Sequence, residues 1–371
     1  MSDSLEQYKY AGRKRFNIAK FDTADKGEFS DRQEAVDEFV SNLKKINKLQ
    51  QALYAERKEG VIFVFQAMDA AGKDGVIRTV FSTLSPHGVK EYCFKVPSAE
   101  ELSHDFLWRF WSAMPPKGHI SIFNRSYYED VLVGKVHELW KGRIFPDRIM
   151  QKDIIKERYG MIKGFEQFMY NSGTRIVKIF LNVSKDEQAR RFISRIDTDS
   201  KNWKISSGDL KERGYWDAYM DAFEKMINTT STEICPWYVV PADHKWYARL
   251  LVSRIVLQTL EEIDPQWPTI TEDELGKIQE FRQSLVDSLP NQTYEPNTES
   301  LQEFAKTAAI AADMWFDDET TKIKDKKERI RTNGMNAIRA LHAEGRKLSS
   351  PTEVIAAVVS AMQEDTTNEE E

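Results

Sequence analysis

A chain of 371 residues that is 41% apolar and 30% charged, with 20 Phe, 13 Tyr and 9 Trp, is neither a stapled miniature nor a disordered chain, and one large domain with an appendage is expected. The net charge of −6 divides unevenly, because residues 264–371 hold 22 acids and 12 bases, a net of −10, which leaves 37 acids and 41 bases, a net of +4, on residues 1–263. No apolar run approaches the roughly 18 residues of a membrane span, MSDSLEQYKYAGRKRF lacks a leader's apolar segment, and Cys93 and Cys235 match no zinc spacing, so a cytoplasmic protein is expected.

Residues 1–30 are polar, mixed in charge and aperiodic, and predict a loosely held arm. From Asp31 the residues Val36, Phe39, Val40, Leu43, Ile46, Leu49 and Leu53 recur at three- and four-residue intervals, the pattern of an amphipathic helix ending at Gly60. VIFVF follows, a short continuous apolar run of the kind expected for a parallel strand buried on both faces. Further strands are predicted at 92–96, 119–123, 175–183 and 237–240, separated by helical stretches, which argues an α/β domain over 31–263 with a mostly parallel sheet and helices on both faces.

Between the last two strands, a helix is predicted over 184–195, opened by a Ser184/Glu187 capping box, and another over about 209–228. Two helices joined by a polar turn suggest a movable lid over 184–228, with ordinary crossover packing as the alternative. A helix over 244–263 closes the domain, and DPQWP punctuates the chain. Beyond it Leu275, Ile278, Phe281, Leu285 and Leu289 share a helical face. A linker, NQTYEPNTES, helices near 300–316, 319–345 and 352–363, and a solvated, disordered tail complete the expected acidic appendage.

The most informative stretch is QAMDAAGKDG, residues 66–75, which follows a predicted strand and opens a helix. Free amides at a helix start and the positive end of its dipole suit phosphate oxygens, and Lys73 can neutralise one more. Ala67 occupies the position of the first glycine of the general phosphate-loop pattern, and Asp74 follows the lysine where Ser or Thr usually holds a metal, a task that Asp69 could take over. The third predicted strand leads into Asn124-Arg-Ser-Tyr-Tyr-Glu-Asp130, where Asp130 or Glu129 can ligate Mg2+ and Arg125 can clamp a phosphate bidentately. The six histidines lack zinc-site partners, and Trp203, Trp216, Trp237 and Trp246 suit a core more than a base-stacking surface.

Together QAMDAAGKDG, CFKVPS, FNRSYYEDVLV, RIDTDSKNWKIS with the nearby DLKERGYWDAY, and PWYVVPADHKWYARL resemble the polyphosphate kinase 2 family over roughly residues 30–265. Asn124 with Glu129-Asp130 is most similar to its class III branch, which accepts both AMP and ADP. The resemblance implies a P-loop kinase fold with a helical lid and reversible phosphoryl transfer between inorganic polyphosphate and AMP, ADP or ATP, with Mg2+ or alternatively Mn2+. It places Asp69 in the family's loop pattern, with Ala67 standing for a frequent glycine. Asp69 and Asp130 are then expected to hold the metal, and Lys73, Arg125, Arg190 and Arg191 to complete the catalytic set. Ala70, Ala71, Gly72, Asp74, Gly75, Asn124, Glu129, Arg195 and Lys204 are expected to contact substrate.

Arg190, Arg191 and Arg195 lie at helical spacing with Lys201 and Lys204 beyond, and could act as arginine fingers; the alternative is a solvated face, since Asp186, Glu187, Asp197 and Asp199 intervene. Residues 135–178 carry Lys135, Lys141, Arg143, Arg148, Lys152, Lys156, Arg158, Lys163, Arg175 and Lys178 against five acids, a surface expected to guide polyphosphate. A homo-oligomer is expected, without nucleic acid or membrane as partner. The rival readings are an ATP-dependent nucleoside monophosphate kinase and a non-catalytic nucleotide or polyphosphate sensor.

Overall fold

The computed structural model describes residues 5–289 apart from 31, 144, 200, 201 and 203–206. Lys201, Trp203, Lys204 and the expected linker, later helices and tail of the appendage lie outside the described residues. Six strands form one sheet in the order β1-β6-β5-β2-β4-β3, with β1 Lys9–Tyr10, β2 Gly60–Ala67, β3 Val89–Cys93, β4 Ile120–Asn124, β5 Thr174–Asn182 and β6 Trp237–Pro241. The longer helices are α1 Arg32–Glu56, α2 Lys73–Phe81, α3 Ile154–Asn171, α4 Lys185–Ile196, α5 Ser207–Gly214, α6 Trp216–Thr230, α7 Lys245–Ile263 and α8 Glu272–Asp287.

β2 through β6 pair in parallel, and only β1 runs antiparallel, against β6. β2 is central because Val61 to Phe65 are apolar on both faces, and all five are fully buried. α1 packs on α7 and α7 on α2, whereas α3 packs on β5 and on α6, so helices cover both faces. After β2 the chain moves toward the β3 edge, returns through β4, and crosses to β5 and β6. The crevice at the carboxyl ends of β2, β4 and β5 is therefore the topological switch point where such sheets bind ligands.

Three expectations need correction. The arm is not loose: Leu5, Tyr8 and Phe16 are buried, and β1 adds a sixth strand. Tyr8 donates to Asp25 Oδ2 at 2.6 Å, and Asn228 fastens Phe16 by accepting from its N–H at 2.8 Å and donating to its carbonyl at 2.9 Å. β3 lies three residues earlier than the aromatic cluster suggested. As an edge strand it needs apolar contact on alternate residues only, and Val96 is 91% exposed. The basic stretch is not one surface, because Lys178 is fully buried and Arg175, paired with Val61, lies at the amino ends of the strands, away from the phosphate loop.

Trp216, Trp237 and Trp246 are core residues. Cys93 is exposed and Cys235 buried, and both are free thiols. In α8 a Thr271/Glu274 capping box opens the helix, and Leu275, Ile278, Phe281 and Leu285 are about half or more exposed. Among the described residues no helix is long and apolar enough to cross a membrane.

Candidate active site

β2 delivers the chain at Ala67 into a loop that must turn sharply to start α2. Ala70 at φ 62° and Gly72 at φ 106° take the left-handed conformations of that turn, while Ala67 ends β2 without one, so alanine serves there as well as glycine. No side chain caps α2, and the N–H groups of its first turn are those that a phosphate can take. Lys73 opens the helix and folds back, its ammonium donating to the carbonyls of Ala67 at 3.0 Å and Met68 at 3.4 Å. Burial and then the Arg125 charge push its pKa down, against the pull of Asp69, Glu129 and Asp74.

The second motif starts where β4 ends. Asn124 donates to Asp74 Oδ1 at 2.9 Å and to Glu91 Oε1 at 3.1 Å, joining three elements at the strand ends. Arg125 follows at φ 65°, held to β2 by its N–H on the Phe65 carbonyl at 3.1 Å. This left-handed turn sends the guanidinium to Asp69 Oδ1 at 2.7 Å and to Glu129 Oε2 at 3.8 Å. Ser126 caps the 3-10 helix Tyr127–Val131. Gln66, with its amide set to satisfy both ends, donates to Glu129 Oε1 at 2.8 Å and accepts from the Ser126 N–H at 3.1 Å. Burial raises the pKa of Glu129, opposed by Arg125 and Lys73. Asp69, Lys73, Arg125 and Glu129 thus form one cluster of two cations and two anions.

Asp130 keeps different company. Arg158 holds both its carboxylate, at 3.3 Å, and its backbone carbonyl, at 2.9 Å, and Arg143 stands 3.5 Å from the carboxylate. Burial raises its pKa, and Arg158, Arg143 and Arg109 oppose the shift.

Helix α4 approaches the loop from the far side of β5. Ser184 caps it as expected, accepting from the Glu187 N–H at 3.1 Å, but the Ser184 N–H goes to Asp243 Oδ1 at 2.7 Å and Glu187 binds arginines instead. Gln188 donates to the Asp69 carbonyl at 2.9 Å and accepts from Arg213 at 2.7 Å. Arg191 is buried and donates to Glu187 and to the carbonyls of Ala70, Ala71, Ala242 and Asp243. All five guanidinium donors are engaged, so Arg191 braces the loop where an arginine free to meet phosphate was expected. Arg190 is 71% exposed beside Glu187 at 3.1 Å, and Arg195 lies over the Phe192 ring.

Sequence reasoning missed Gln188, Arg213 and Asp243, quoted Gln66 only as the first residue of the loop stretch, and placed Arg158 on a polyphosphate-guiding surface where it instead holds Asp130. Gln188 and Arg191 do share an i, i+3 face, which was the one available signal. Gly75 lies beneath Arg249, whose nearest nitrogen would meet an added Cβ at 3.6 Å. Among the described residues no group of three or more His, Cys, Asp or Glu is arranged to hold a metal by protein ligands alone.

The family model of polyphosphate kinase 2 matches residues 28–268. The chain belongs to the polyphosphate kinase 2 family. It is 48% identical over 248 residues, 66% of this chain and 86% of the other, to the ADP-polyphosphate phosphotransferase of Rhodopseudomonas palustris. To the AMP/ADP-polyphosphate phosphotransferase of Meiothermus ruber it is 44% identical over 265 residues, 71% of this chain and 96% of the other. The crystal structure of polyphosphate kinase 2 from Arthrobacter aurescens matches with a TM-score of 0.68 at 38% identity, covering 76% of this chain and 96% of that one. The acidic residues after 268 lie outside the family match.

Proposed function

We propose that this phosphotransferase moves a phosphoryl group reversibly between inorganic polyphosphate and an adenine nucleotide, with AMP and ADP both as acceptors, in the cytoplasm. The observation that carries the reading is the Asp69–Arg125–Glu129 contact set beside Lys73, at the foot of an uncapped helix and at the switch point of the sheet. Phosphoryl transfer asks little covalent chemistry of a protein; positioning and charge neutralisation do most of the work.

The amides of Ala70, Gly72, Asp74 and Gly75 and the Lys73 ammonium bind the reacting phosphates, whereas the Ala71 N–H, expected to join them, is taken by the Met68 carbonyl at 3.2 Å. Arg125 exchanges part of its contact with Asp69 for the equatorial oxygens of the transferring group. Glu129 and Asn124 orient the acceptor nucleotide. Arg190 and Arg195 of α4 meet the outer phosphates, while Arg191 keeps the loop carbonyls turned away from them.

Kinases of this family use a divalent metal, and the site suits Mg2+, which is typically held by one or two carboxylates together with substrate phosphates rather than by an all-protein cage. Asp69 would hold it, with Asp130 completing the shell once Arg158 and Arg143 share their charge with phosphate. When bound, the ion neutralises charge on the bridging and terminal oxygens. AMP incubated with polyphosphate and Mg2+, with no ATP present, should give ADP and then ATP on chromatography. A strict need for ATP as donor would overturn the reading in favour of a nucleoside monophosphate kinase.

A further inference from the structure

Behind the turn that carries Glu129 and Asp130 lies an ionic junction to which the mechanism above gives no task. Lys178, in the middle of β5, and Glu166, on α3, are 0% and 1% exposed. The Lys178 ammonium donates to Glu166 Oε2 at 2.7 Å, to the Thr230 carbonyl at 2.8 Å and to the Tyr128 hydroxyl at 3.1 Å, which engages all three of its protons. Glu166 Oε1 accepts from the hydroxyls of Tyr127 at 2.9 Å and Tyr128 at 2.7 Å. Burial, and then the Glu166 charge, pushes both phenols well above their usual pKa, so they stay neutral donors.

A buried ion pair is an inefficient source of stability, since apolar residues of like volume often do as well or better. What a fully satisfied network adds is direction, because each hydrogen bond fixes an angle as well as a distance. The fixed objects here are Tyr127 and Tyr128, both fully buried and forming the start of the 3-10 helix Tyr127–Val131. Glu129 and Asp130 are the next two residues, within the same turn. The two rings and the two carboxylates share one turn of backbone, so a shift of that backbone would carry both carboxylates away from Arg125, Gln66 and Arg158.

We propose that Glu166 and Lys178 are positioning residues, which act through the Tyr127 and Tyr128 hydroxyls to set the pitch of the turn and hence the placement of the Glu129 and Asp130 carboxylates. The proposal rests on the reading that this turn serves phosphoryl transfer. The four side chains join the turn to α3, β5 and, through Thr230, α6, so the turn is referenced to the sheet and to helices on one face at once.

The test replaces the pair as a unit, Glu166→Leu with Lys178→Met, so that no lone charge stays buried. The expected protein melts near or above the wild type, yet its kcat with AMP and polyphosphate falls about tenfold or more while the polyphosphate KM changes little, the signature of a lost transition-state interaction. The Mg2+ concentration for half-maximal rate should rise. A folded double variant with wild-type kcat and Mg2+ titration would overturn the proposal and leave the pair as scaffold only. Tyr128→Phe removes one hydroxyl at constant shape and carries the same test if the double variant fails to fold: a lower kcat at constant KM supports positioning, and an unchanged kcat overturns it. Glu129→Gln separates the two levels. Wild-type turnover in Glu129→Gln would sink the underlying reading of the turn, whereas a loss there beside an unaffected double variant would sink the positioning role alone.

Discussion

Lys73 is 7% exposed and its ammonium shares its surroundings with Arg125, Asp69 and Glu129, so its charge is little screened by water. Charge redistributes onto phosphate oxygens during transfer, and a poorly screened cation there is worth most in the transition state. Lys73→Met should therefore lower kcat by roughly 100-fold or more with the fold retained. Steady-state kinetics beside a thermal melt checks this, and wild-type turnover in the folded variant would remove the lysine from the mechanism. The pH profile follows from the same cluster. Burial holds Glu129 above the usual carboxylate range, and burial followed by Arg125 holds Lys73 below the usual lysine value. Glu129 must lose a proton to act as an anion, so kcat/KM rises with pH through an acid limb shifted upward. Lys73 must keep its proton, so the alkaline limb is shifted downward. Glu129→Gln should abolish the acid limb; a limb that persists unchanged would assign it to another group. That these residues gather in one place was legible because each motif lies within a few positions of a strand end. Arg191 was misread because helical spacing tells which face a residue is on, not which acceptors wait there.

At the scale of elements, the phosphate loop depends on segments far from it in sequence. Asp243, just after β6, accepts from the Ser184 N–H at 2.7 Å and from Thr23 Oγ1 at 2.8 Å, and its carbonyl takes Arg191 at 3.1 Å. One residue thus joins the arm, the start of α4 and the guanidinium that holds Ala70 and Ala71. Asp243→Ala removes two acceptor bonds, one at a helix start, where such losses cost about 1 kcal/mol, and it also loosens α4 against the loop. The expected result is a modest drop in melting temperature with about a tenfold loss of kcat/KM. Thr23→Val removes only the outer bond, so it should cost stability with little effect on kcat/KM; equal kinetic losses in both variants would place the effect in the arm. The strands were readable where burial on both faces demands nearly continuous apolar residues, as in β2 and, around Lys178, in β5. β3, with one open edge, and β1, two residues long, make no such demand, and the arm's burial rests on isolated Leu5, Tyr8 and Phe16, which have no period to detect.

Over the whole molecule, the charge division in the sequence meets a sheet domain whose cations are partly committed. Lys178 and Arg158 are buried with Glu166 and Asp130, and at the surface Lys135, Lys141 and Lys152 pair with Asp221, Glu138 and Glu157. Surface pairs are weak and readily exchange partners, so a polyphosphate chain can still recruit the exposed cations, whereas the fully buried Lys178 stays with Glu166. A second polyanion is tethered to the same body, since residues 264–371 carry a net of −10 against +4 for the rest. Where its connection lets that segment reach the exposed cations, tethering gives it a high effective concentration there, the condition for competition with polyphosphate; the alternative is a helical packing or oligomerisation element. Removal of residues 269–371 should lower the apparent KM for polyphosphate, with the gain shrinking as salt rises past the roughly 0.1 M at which the screening length is about 10 Å. An unchanged KM at low salt in a folded truncation would reject competition. If the mass in solution falls instead, the half-exposed apolar face of α8, Leu275, Ile278, Phe281 and Leu285, becomes the reason, because a face of that width is worth more as a contact between subunits than as a charge carrier.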